Sequence, residues 1–179
     1  MELYVERGFD ETTVAEIAKR AGLTERTFFR HFADKREVLF AGAAMLQDLF
    51  VEAVGDAAAD LSPVDAAIAG VVAGGALIQE RPEFARQRYG IIAANAELQE
   101  RELIKLAALS GALAGALRRR GVPDHAASLA AEVAITVFRV AFERWVTDPV
   151  RLDLPQLMRE SLDELRTVTA DSGTRRPAT

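Results

Sequence analysis

The sequence predicts an all-α fold, and three observations carry that prediction. Apolar residues recur at helical spacing through most of the chain, no stretch keeps the alternation of a strand, and Gly and Pro cut the pattern into helix-length pieces. The 179 residues allow one or two small domains, half of them are apolar and 27% are charged, as in a folded globular chain. The absence of Cys excludes a disulfide framework and any Cys-based metal site, and it fits a reducing cytoplasm. The acidic, polar N-terminus lacks the basic and then apolar pattern of a signal peptide, so none is expected. The Ala-rich stretches are interrupted by Asp, Glu, Arg and Gln, so no membrane span is expected.

Residues 13–32, TVAEIAKRAGLTERTFFRHF, organise the rest. Val14, Ile17, Ala18 and Ala21 share one helical face, and Thr13 with Glu16 reads as a capping box. Gly22 stands where the chain leaves the helix, since Gly takes the left-handed conformation at little cost. Leu23 is expected to be buried in the turn. Thr24 caps a second helix whose Phe28 and Phe32 face inward, leaving Glu25, Arg26, Thr27, Phe29, Arg30 and His31 outward. This is a helix-turn-helix pattern, with the second helix presented to a major groove. The formal net charge is −5, yet between Ala18 and Arg36 six bases face two acids. That window is +4 and the remainder −9, and phosphate responds to local charge.

The other elements follow in order. Met1–Arg7 reads as the end of a helix rather than the start of a chain, so the true start is expected upstream. Gly8 stops it, and Phe9 can pack back on Tyr4 in a Schellman arrangement. Asp34 and Glu37 read as a second capping box that opens one long helix to about Ala59, with a domain boundary inside it near Gly42. Ser62-Pro63 starts a helix rich in Gly70, Gly74 and Gly75, whose small residues allow close approach or leave room for something else. Pro82, Asn95 and Pro123 introduce three more helices, and Leu154-Pro155 a last one. About nine helices result, and residues 170–179 have no apolar pattern and are expected to be disordered.

Residues 8–39, GFDETTVAEIAKRAGLTERTFFRHFADKREVL, resemble the DNA-binding domain of the TetR family of bacterial transcriptional regulators. The GF turn, the paired Thr, the EIA and AG elements, the aromatic-Arg-His-Phe recognition helix and the acid-Lys opening all occur at that family's spacing. The resemblance implies a three-helix helix-turn-helix DNA-binding domain (1–42) followed by a larger helical ligand-binding and dimerisation domain (43–169). It implies a homodimer formed by Pro123–Val146 and Pro155–Val168, a double-stranded palindromic operator and a small-molecule effector. It implies DNA contacts from Thr13, Thr24, Arg26, Thr27, Phe29, His31 and Lys35, with Phe29 standing where the family most often has Tyr. Lys35→Ala is then expected to flatten the salt dependence of binding.

For the second domain two readings stand side by side. Glu132, Arg139 and Glu143 share a helix face, as a surface or dimer-seam pair or as polar groups of an effector cavity. The cavity reading adds Trp145, Arg86, Arg88, Tyr89 and Asn95. An enzyme finds little support: two His, no Glu-x-x-His, no Gly-rich phosphate loop and no Ser-His-acid set in context. No cofactor or metal is expected. An activator, or an interaction module with weakened DNA binding, remains as an alternative.

Overall fold

The computed structural model describes residues 1–148 and 153–170, and among these the chain is all-α, with no strand. The expected disordered tail falls, beyond Ala170, outside the described residues. Three short helices come first: α1 (Glu2–Arg7), α2 (Val14–Arg20) and α3 (Glu25–His31). A 3-10 segment, Lys35–Phe40, leads to α4 (Ala43–Asp56), α5 (Pro63–Gln79), α6 (Pro82–Ala93), α7 (Ala96–Arg119), α8 (Asp124–Thr147) and α9 (Leu154–Ala170).

The caps of the first unit follow from its sequence. Thr13 Oγ1 accepts from the Glu16 N–H while the Glu16 carboxylate accepts from the Thr13 N–H, closing the reciprocal box. Gly22, at φ 69°, ends α2 in a Schellman motif: the Leu23 N–H reaches the Ala18 carbonyl at 2.8 Å and the Gly22 N–H that of Lys19 at 3.1 Å. Thr24 accepts from the Thr27 N–H and caps α3. At Gly8 only the simpler bond to the Tyr4 carbonyl forms. The Leu3 carbonyl is taken instead by the hydroxyl of the fully buried Thr12, and Phe9 packs on Tyr4 at 5.4 Å.

Two expectations are corrected. Leu23 is not buried: it is 48% exposed, because the Schellman turn projects it outward. The long helix from Asp34 is broken. Asp34 caps the 3-10 segment, but Glu37 does not return to it, because Arg101 and Lys105 on α7 take its carboxylate. Residues 35–56 and α8 are both apolar enough, by length and mean hydropathy, to cross a membrane. In the fold, Ala41–Gly42 interrupts the first, and the apolar side of α8 goes into the core against α5, α7 and α9.

The main core is built from α4, α5, α7, α8 and α9. The glycines of α5 serve close approach: a Cβ on Gly74 would overlap the Phe50 ring, and one on Gly75 would lie 2.7 Å from Met158 Cε. A smaller cluster joins Tyr4 and Phe9 to Leu39, Phe40, Ile92 and Leu98. The 3-10 segment is thus the plug between the first unit and the α6–α7 corner.

Candidate nucleic-acid interface and adjoining cavity

α3 presents a polar, cationic surface on an aromatic foundation. Phe28 is buried and meets Phe32 at 5.3 Å, which fixes the rotation of the helix. Arg26, Phe29, Arg30 and His31 are exposed, with Phe29 held edge-on against Phe28 at 5.4 Å. The Thr24 and Thr27 hydroxyls lie 3.1 Å apart at its N-terminus. Thr13 is exposed at the start of α2, with its own N–H and hydroxyl turned to Glu16. That backbone bond, then the hydroxyl, holds the Glu16 carboxyl below the usual carboxylate range.

The cations of this region divide into two sets. Arg20 pairs with Glu2 and Glu6 and, with Arg7–Glu16, ties α1 to α2. Arg36 is held by Asp34 and Glu97. Lys35 is also occupied: its ammonium donates to the carbonyls of Phe9 (2.8 Å), Asp10 (3.0 Å) and Thr12 (3.0 Å) and lies 4.5 Å over the Phe9 ring. An ammonium has three protons. A phosphate contact from Lys35 would therefore cost one of the three bonds with which it closes the α1–α2 loop. Its own carbonyl accepts from the Tyr4 hydroxyl at 2.6 Å, and burial pushes the Tyr4 phenol up. Lys19, Arg26 and Arg30 remain exposed to solvent.

Behind the 3-10 segment lies a cavity of about 510 Å³. Its apolar wall includes Leu46, Ile78, Phe84, Leu109, Phe138 and Phe142, and its polar groups are Glu80, Arg81, Arg88, Glu102 and Lys105. Of the residues read from sequence as polar cavity groups, Arg88 lines it. The others lie elsewhere. Arg86 sits 5.6 Å over the Trp145 ring and pairs with Glu83, and Trp145 is buried in the core. Tyr89 packs at 6.2 Å on Phe142, and Asn95 donates to the Ile91 carbonyl at 2.7 Å. Arg139 and Glu143 stay on the exposed face of α8, unpaired with each other, as does Glu132, which accepts from Ser110 on α7 at 2.7 Å. The reason is rotational: α8 turns Phe138 and Phe142 to the cavity and their charged neighbours to solvent.

Sequence reasoning missed Glu102, Lys105 and the charged layer above the cavity. Arg88 pairs with Glu102, and Arg101 and Lys105 pair with Glu37, between residues 14 to 68 positions apart. Partial burial pushes the Glu37 carboxyl up, and the hydrogen bonds from Arg101 and Lys105 outweigh it and leave it below the usual range. In the sequence these residues look like ordinary solvated helix charges, and no local spacing connects them.

Comparison with known proteins places this geometry. Residues 1–41 match the family model described as bacterial regulatory proteins, tetR family, and residues 61–170 match that of the MftR C-terminal domain. The HTH-type transcriptional regulator TcmR of Streptomyces glaucescens is 36% identical over 66 residues, which are 37% of this chain and 29% of that protein. The match therefore spans under a third of that relative's length. The TetR family transcriptional regulator PfmR from Thermus thermophilus shares the fold, at a TM-score of 0.51 and 20% identity over 90% of this chain and 91% of that one.

Proposed function

Because the chain belongs to the tetR family of bacterial regulatory proteins, DNA-binding regulators of transcription rather than enzymes, we propose that it works as a ligand-responsive repressor. In this reading it binds a palindromic operator as a homodimer in the cytoplasm. The DNA-binding unit is residues 1–42 and the effector and dimer unit is 43–169. The observation that carries the reading is α3, with exposed Arg26, Phe29, Arg30 and His31 fixed on a buried Phe28. Arg26 is the base reader, since its fork matches guanine O6 and N7. Thr13, Thr24, Thr27 and His31 position the phosphates, and the Phe29 ring touches a thymine methyl.

One such unit offers a small cationic footprint, and two related by a dyad double it. The exposed apolar residues of the last two helices, Leu129, Val140 and Val168, support a self-complementary seam there. The cavity of about 510 Å³ has the size and apolar walls of a small-molecule site. An effector that fits only one spacing of the two DNA-binding units shifts the population toward it.

The test is selection of duplexes by the protein from a randomised library, followed by footprinting and light scattering. Palindromic sites with half-sites about one or more helical turns apart, bound by a dimer, are expected. A monomer in solution, or selection that enriches no sequence at low salt, would overturn the proposal.

A further inference from the structure

One side chain connects the cavity to the DNA-binding unit. Arg88 lies on α6, lines the cavity and meets three groups at once. Its Nε donates to the Leu39 carbonyl of the 3-10 segment at 2.7 Å. Its Nη1 and Nη2 donate to the Glu102 carboxylate on α7 at 3.2 and 2.6 Å. The guanidinium carbon sits 5.0 Å over the Phe40 ring. Leu39 and Phe40 in turn belong to the cluster that contains Tyr4 and Phe9. A 3-10 segment has poorer internal hydrogen bonds than an α-helix, and such segments next to α-helices often act as hinges. An outside donor on its carbonyl therefore helps to fix where the first three helices stand.

We infer that Arg88 is the residue through which the cavity acts on the DNA-binding unit, and that the occupant is an apolar molecule carrying one anionic group. The inference rests on the reading that the chain answers to a small molecule, and it adds the chemistry of the molecule and the route of the answer. The charged groups on the wall are Arg81, Arg88 and Lys105 against Glu80 and Glu102, an excess of one cation. The remainder of the wall is aliphatic and aromatic. Three of the five guanidinium N–H donors are engaged, so a second carboxylate is held bidentately only if the fork gives up a bond that it already makes. An anionic occupant thus competes with Glu102 for the fork. As it draws the guanidinium inward, it also competes with the Leu39 carbonyl. A neutral or cationic occupant offers the fork no such exchange.

The experiment uses the full chain, a duplex that it has selected, and three probes of one length: decanoate, decanol and decylamine. Decanoate is expected to raise the melting temperature and to weaken duplex binding about tenfold or more, within the usual span of allosteric coupling, while the other two do neither. Arg88→Gln is expected to melt cooperatively, to bind the duplex about as weakly as decanoate-treated wild type, and to lose nothing further on adding decanoate. Glu102→Gln removes the competitor but leaves the Leu39 bond. It is expected to keep duplex binding and to respond at lower decanoate, which a merely structural Arg88–Glu102 pair would not produce. Release of Arg88→Gln from the duplex by decanoate, as in wild type, would overturn the coupling role and leave ligand response standing. Release by decanol, or no shift with decanoate, would overturn the anionic class. Failure of the untreated wild type to hold any selected duplex would sink the repressor reading before a probe is added.

Discussion

Replacing Lys35 by Met tests whether the first unit is held together or held to DNA by that ammonium. Met keeps most of the apolar stem and removes three donors. The bonds to the Phe9 and Thr12 carbonyls are partly buried, whereas the bond to Asp10 is exposed and water can replace it. Two unmade charged hydrogen bonds of about 1.5 kcal/mol each, with about 0.5 kcal/mol for the lost contact to the Phe9 ring, give a cost of about 3–4 kcal/mol. Urea unfolding of wild type and variant measures it. Duplex binding across a salt series measures the alternative. A clamp predicts weaker binding at every salt concentration with an unchanged slope, because no phosphate is released. A phosphate contact predicts unfolding unchanged and a slope shallower by about 0.9. The second pair of results would refute the clamp.

Other expectations follow from the same contacts. Arg26→Ala should cost about 1–3 kcal/mol at a single base pair and relax preference there, as read by repeating the selection with the variant; an equal loss on all sequences would assign Arg26 to phosphate. Gly74→Ala places a methyl where the Phe50 ring lies, and overpacking of this kind should lower stability by about 1–3 kcal/mol in thermal unfolding. The Asp34 carboxyl is held below its ordinary 3.8 first by its hydrogen bonds with Arg36. Partial burial pushes the Glu37 carboxyl up, and Arg101 and Lys105 together bring it below its ordinary 4.5. Depressed carboxyls add stability above their unfolded pKa values, and that stability disappears as pH falls through the folded ones. Glu37→Gln should therefore reduce stability at neutral pH and flatten its fall below about pH 4.5; an unchanged acid limb in a pH series of melts would contradict the Glu37 pairing.

The parts of this chain that were legible in sequence are those decided within four residues. The Thr13–Glu16 box, the Gly22 stop and the Thr24 cap are each fixed by local backbone donors and acceptors, and each forms. The failures come from distant partners. Asp34 and Glu37 carry the same spacing as Thr13 and Glu16, yet cations 64 and 68 residues away take the Glu37 carboxylate, and the expected helix becomes a 3-10 segment and a turn. Lys35 reads as a free surface cation until the loop between α1 and α2 folds over it. Gly74 and Gly75 read equally as space or as contact, and only the arrival of Phe50 and Met158 decides for contact. The cavity draws walls from the 3-10 segment and from α4 to α8, so no single stretch of sequence could display it. Periodicity set Glu132, Arg139 and Glu143 on one face of α8, but it did not say whether that face looked inward.

The two ends of α4 are secured very differently. At its C-terminal end the Arg120 guanidinium donates to the carbonyls of Val54, Gly55, Ala57 and Ala58, while Phe50 at mid-helix is seated against Gly74. At the other end, Gly42 offers no side-chain cap, and the chain turns there into the 3-10 segment. The helix is therefore tied at one end by four hydrogen bonds and held near the other by the packing of Leu46. Its fourteen residues make it about 21 Å long. A tilt of only ~5° about the tied end would carry the N-terminal end about 2 Å over that length.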